Sequence, residues 1–144
     1  MSTLVVMCFF LLKFSPAQAQ QSLYVIANQK GAPASLSSTE LISVMKGERQ
    51  RWADKNKVVI ALIKTNNPLG EAISTKVFDM KPDELNKYWL ALVFQGKASA
   101  PVFFHTVSEL QNFVAQNLGA IGIIDQPVNT PEIKTVAVNG KKSL

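Results

Sequence analysis

The chain is poor in the residues from which most enzyme sites and stapled domains are built. It holds one cysteine and one histidine in 144 residues. Cys8 lies in an apolar N-terminal stretch, so disulfides, thiolate nucleophiles and cysteine metal sites are excluded from the rest of the chain. His105 has no second His, no Cys and no acidic constellation beside it in sequence, which argues against a metalloenzyme. The same scarcity leaves a serine nucleophile almost without a base, and no G-x-S-x-G elbow occurs. Neither G-x-G-x-x-G nor G-x-x-x-x-G-K-[ST] is present, so the common nucleotide-cradling loops are missing. The 10 acidic residues are scattered, most of them at helix starts, where capping and the helix dipole account for them. These absences predict a protein that is not an enzyme and holds no cofactor or metal.

Long apolar runs are also lacking, since none approaches the ~20 residues that span a bilayer. The one apolar run of note, Leu4 to Leu12, is followed by Ser15-Pro16-Ala17-Gln18-Ala19, a small-x-small cleavage site. Residues 1–19 therefore read as a signal peptide, with an uncleaved anchor as the alternative, and residues 20–144 as one exported, periplasmic domain. Hydrophobic residues make up 47% of the chain, enough for that domain to bury a core without staples. Fifteen basic against ten acidic side chains give a net charge of +5, a bias toward neutral or anionic partners. The densest basic group, Lys46, Arg49, Arg51, Lys55 and Lys57, surrounds Trp52. Export makes nucleic acid an unsuitable partner, so this group reads as a solvated loop with Trp52 anchored in the core.

What is present alternates strand and helix. Leu23 to Ala27 is β-prone, and Asn28 to Ala34 reads as a loop. Ser37 with Glu40 forms a capping box, followed by Leu41, Val44 and Met45 at helical spacing and a stop at Gly47. Val58 to Ile63 is continuously apolar, as expected of a central strand covered on both faces. Asn67 as N-cap and Pro68 as first residue open a helix whose inner face is Leu69, Ile73, Val77 and Met80. Pro82 opens another with the stripe Leu85, Trp89, Leu92 and Val93, ended by Gly96. Val102 to Phe104 reads as a short strand or an extended link. Thr106 with Glu109 caps a helix with Leu110, Phe113 and Val114 inside and Gly119 as its C-terminal cap. Ala120 to Ile124 is a further strand, with Gly122 allowing close backbone approach. Thr135 to Val138 is expected as an edge strand, with Asn139 to Lys142 as a frayed tail. This order predicts an α/β fold, a layered sheet with flanking helices.

One place in this pattern suits a ligand. A strand-to-helix junction at the carboxyl end of a buried strand offers free backbone N–H groups and the positive end of a helix dipole to an anion. Lys64, Thr65, Asn66, Asn67 and Ser74 are the side-chain donors there, and they are the candidate ligand-binding residues. A plain structural loop with a polar N-cap is the alternative reading of the same residues.

Several short motifs occur together in a telling order: LSSTEL at Leu36 to Leu41, VMKGERQRW at Val44 to Trp52, VVIAL, Tyr88-Trp89, FQGK at Phe94 to Lys97, Pro101, and GAIGI at Gly119 to Ile123. In these the chain resembles phosphate-type substrate-binding proteins, the type 2 periplasmic binding proteins that serve ABC importers. The resemblance runs from Leu23 to Ile124. It implies a periplasmic binding protein-like fold in a reduced, single-domain form, and capture of phosphate or another small oxyanion for a membrane transporter. The family's Ser-Gly-rich phosphate loop falls at Lys64 to Ser74, where this chain reads KTNNPLGEAIS, and Gly70 and Glu71 stand near the helix start. The alternative is therefore a periplasmic interaction module, binding a membrane-bound sensor or transporter component through its surface.

Overall fold

The computed structural model describes residues 21–144, and the expected signal segment, Met1 to Ala19 with Cys8, lies outside them. The strands are β1 (Tyr24–Asn28), β2 (Ser35–Leu36), β3 (Val59–Ile63), β4 (Val102–Phe104), β5 (Ala120–Ile124) and β6 (Ile133–Val138). The helices are α1 (Ser38–Met45), α2 (Pro68–Phe78), α3 (Pro82–Phe94) and α4 (Val107–Gln116). The six strands form one mixed sheet in the order β2-β6-β1-β5-β3-β4. β1 runs antiparallel to both neighbours, β5 and β6, whereas β3 runs parallel to β4 and β5.

The middle of the sheet is β1 and β5 rather than β3. β5 is buried at all five residues, which requires cover on both faces. α4 packs across β1, β3, β4 and β5, while α2 lies on β3 and touches α1 and α3. Gly122 in β5 sits so close to α4 that a methyl group there would come within 2.8 Å of Leu110 Cδ2, so its close approach is realised.

Both capping boxes form as expected. Ser37 Oγ accepts the Glu40 N–H while Glu40 Oε2 accepts the Ser37 N–H, and Thr106 and Glu109 repeat the exchange. Trp52 is buried at 3% exposure, donates its indole N–H to Gly119 O at 3.0 Å, and lies 6.0 Å from the Arg49 guanidinium, so the basic loop is pinned as expected.

Other expectations are corrected. Asn28 ends β1 rather than opening a loop, and its amide donates to the carbonyls of Val114 and Ala115. Those bonds, with Asn117 Nδ2 donating to Phe113 O, satisfy the end of α4, so Gly119 is not its cap. Phe113 is only half-buried, tilted against Phe104 at 5.1 Å. Met80 falls outside α2, which Asp79 ends in a left-handed conformation, and Phe78 takes the inner position instead. Val93 is exposed, so the inner face of α3 is Leu85 and Trp89 with Tyr88 and Leu92 half-buried. β6 is an interior strand, because the two-residue β2 pairs along its outer side. The tail is tied down: Val138 and Lys141 exchange backbone hydrogen bonds around Asn139 and Gly140, and Leu144 N–H donates to Leu23 O at 2.8 Å.

Candidate functional site

The candidate loop leaves the carboxyl end of β3. The parallel register pairs Ile63 with Phe104, so the residues just beyond both strands, Lys64 and His105, emerge side by side. Lys64 N–H donates to Phe104 O at 2.9 Å, which extends the ladder by one rung and fixes the loop's exit. Asn67 then turns the chain into α2: its Oδ1 accepts the Leu69 N–H at 2.9 Å, and its backbone N–H donates to Lys64 O at 3.1 Å. Gly70 brings the first turn of α2 directly against this loop, since any Cβ there would overlap the Lys64 carbonyl.

Lys64, Thr65 and Asn66 line one open groove together with Asn86 of α3 and Phe103 of β4. Lys64 Nζ donates to His105 Nε2 at 3.0 Å. Thr65 Oγ1 and Asn86 are in hydrogen-bond contact, with the Asn86 amide donating at 3.2 Å. Asn67 Nδ2 reaches His105 O at 3.4 Å. On the far side of His105, Glu109 Oε2 accepts the His105 backbone N–H at 3.2 Å, so one carboxylate lies near the groove. Glu71, exposed in the first turn of α2, is another.

Of the five expected residues, four gather here and one does not. Ser74 is fully buried two turns into α2, and its hydroxyl donates to Met80 O at 2.8 Å, which closes the helix's C-terminal end. Asn86, which lines the groove, and His105, bonded to Lys64 beside it, were not among the candidates. His105 does lie just before a helix cap, exposed, as read from sequence. The signal for its place in the groove is the parallel pairing of β3 with β4, which puts both strand ends on the same edge.

The groove presents one ammonium, one hydroxyl and the two carboxamides of Asn66 and Asn86, with Asn67 at its edge, a set suited to non-covalent recognition of an oxygen-rich anion. No group of three His, Cys, Asp or Glu side chains able to hold a metal exists among the described residues, and no described helix is long and apolar enough to cross a membrane.

The mixed six-stranded sheet flanked by helices matches the fold of about half of the chain in solved phosphate ABC-transporter substrate-binding proteins. It superposes on an ABC-type phosphate transport receptor from Vibrio cholerae with a TM-score of 0.66, over 85% of this chain and 48% of that one, at 14% identity. A putative phosphate ABC transporter substrate-binding protein with bound phosphate from Clostridium perfringens gives 0.65, over 83% of this chain and 46% of that one, at 14% identity. PstS from Borrelia burgdorferi gives 0.62, over 83% of this chain and 48% of that one, at 13% identity. The chain thus spans about half the length of the solved structures it matches. No protein-family model and no curated protein sequence matches it.

Proposed function

We propose that this protein is an exported solute-binding module, not an enzyme, that takes a small oxyanion of the phosphate class in the groove at Lys64, Thr65, Asn66 and Asn67. The observation that carries this reading is the placement of the Lys64 ammonium, supported by His105, at the carboxyl end of β3 beside the start of α2. Solved proteins of the same fold include a phosphate transport receptor and a substrate-binding protein with bound phosphate, which supports the ligand class. The signal peptide at residues 1–19, a periplasmic location and delivery to an ABC importer complete the proposal.

The groove is open, so the attraction is modest. One charge pair at 4 Å contributes about 1 kcal/mol in water and about 4 kcal/mol at a protein surface. A dissociation constant of about 1 mM corresponds to the upper end of that range.

A second reading, an interaction module without a small ligand, is favoured by a specific feature of the same groove. Several of its polar groups already bond other groups of the protein: Lys64 with His105, Thr65 with Asn86, Asn67 with Leu69. A ligand must compete with those bonds.

Thermal unfolding of the full chain with phosphate, sulfate and chloride at matched ionic strength separates the two. Saturating phosphate at a hundredfold excess over its dissociation constant stabilises a binder by about 2.7 kcal/mol, and the effect disappears in Lys64→Ala/Asn66→Ala. No anion-selective shift rejects the ligand reading. Matching ionic strength matters because surface charges respond to any salt.

A further inference from the structure

Two grooves of this chain join at Asn86 and Phe103. On one side of that pair lie Lys64, Thr65 and Asn66, the polar groove of the candidate site. On the other lie Trp89, Leu90, Val93 and Ala100, and no charged side chain lines that part. The junction is polar, since the Asn86 amide donates to Thr65 Oγ1 at 3.2 Å. From there Asn86, Leu90 and Val93 stand at i, i+4 and i+7 on one face of α3, so the apolar part runs about 10 Å along the helix. β4 and the segment leading into it supply Phe103 and Ala100. Leu90 is 70% and Val93 42% exposed, so both present side-chain surface to whatever enters. Trp89 is only 3% exposed, yet its indole N–H is the one buried side-chain polar group among the described residues with no hydrogen-bond partner. Native proteins pair such groups, so this one calls for an acceptor that the chain itself does not supply.

We infer that the ligand of the joined groove is an organic phosphate monoester with an apolar arm, rather than inorganic phosphate. The inference rests on the oxyanion reading of the polar groove and extends it. Small-molecule sites are mostly apolar with a few convergent polar groups, and neither groove alone has that make-up. Joined, they do: the Lys64 ammonium and its polar neighbours stand at one end, aliphatic and aromatic surface at the other. Inorganic phosphate fills only the polar end and leaves Leu90 and Val93 in water. A cationic head group is repelled by Lys64, and an uncharged apolar solute leaves that ammonium unused. A second charge at the far end of the ligand finds no counter-charge among Trp89, Leu90, Val93 and Ala100, and its desolvation goes uncompensated. The occupant so defined is anionic at one end and apolar at the other.

The test is isothermal titration calorimetry of the full chain with inorganic phosphate, methyl phosphate and hexyl phosphate at matched ionic strength. Burial of alkyl surface tightens binding by up to about fourfold per methylene, so hexyl phosphate should bind about tenfold or more tightly than methyl phosphate. Leu90→Gln/Val93→Gln should bring that ratio toward one, and Lys64→Ala should weaken both esters. Leu90 and Val93 are exposed, so the fold is retained, and an unchanged far-UV circular dichroism spectrum verifies that. Equal affinity for the two esters, or binding of inorganic phosphate alone, overturns the inference and leaves the oxyanion reading standing. Absence of binding by all three overturns both. A chain-length gain that survives Leu90→Gln/Val93→Gln also overturns the inference. So does a concentration-dependent dimer in sedimentation equilibrium that those substitutions dissolve, since it assigns the apolar part to a second copy.

Discussion

Lys64 and His105, 41 residues apart in sequence, share a hydrogen bond of 3.0 Å from Nζ to Nε2 at the mouth of the candidate groove. An imidazole can accept from an ammonium only through an unprotonated ring nitrogen. That bond orients the ammonium toward the groove, so His105→Ala should lower any stabilisation by sulfate, and sulfate titrations of both proteins by thermal unfolding check it.

Asn67→Ala should cost about 1 kcal/mol through loss of the N-cap bond to Leu69, with or without an anion. Denaturant unfolding in water and in phosphate should give the same difference. Stability at Asn67 is thus a readout of the cap and not of ligand binding.

Gly70→Ala should destabilise by about 1–3 kcal/mol, the range for overpacking, because the new methyl group overlaps the Lys64 carbonyl. The overlap forces α2 away from the loop, so any oxyanion effect should weaken in parallel. Gly96→Ala is the control, since its Cβ meets nothing within 4 Å and pays only for its φ of 67°.

Tyr88 donates to Lys46 O at 2.6 Å, and burial, aided by the charge of Glu48, raises its phenol above the ordinary 10.0. The folded state then holds its proton to higher pH than the unfolded state. Its contribution to stability is complete below pH 10.0 and is lost as pH rises from there through the raised value. Tyr88→Phe should reduce the fall in stability on the alkaline side, measured by urea unfolding on either side of that pH. It should also cost about 1 kcal/mol at neutral pH for the missing hydrogen bond.

Local signals were readable wherever the chemistry was local. Ser37 with Glu40, Thr106 with Glu109, and Asn67 followed by Pro68 placed three helix starts, because each cap is completed within a few residues. The apolar runs at Val58 and Ala120 marked buried strands for the same reason. What escaped depends on pairing between distant segments. β2 is two residues long and carries no periodicity, yet it converts β6 from an edge into an interior strand. The tail looked frayed because Asn139 and Gly140 are turn residues, but their turn folds Lys141 back onto Val138. His105 and Asn86 join Lys64 and Thr65 only once β4 is known to lie parallel to β3 with α3 beside it. Sequence proximity puts Ser74 at the groove, whereas two turns of helix carry it into the core.

The hydrogen bond from Leu144 to Leu23 brings Leu144 to the entrance of β1. The path from β1 to Leu144 is therefore nearly a closed loop, and the order in which its elements follow one another is separable from the architecture they adopt. Residues 23–144 joined head to tail by a short glycine linker, with new ends in the exposed Ala53–Lys55 turn, should keep the sheet and the groove intact.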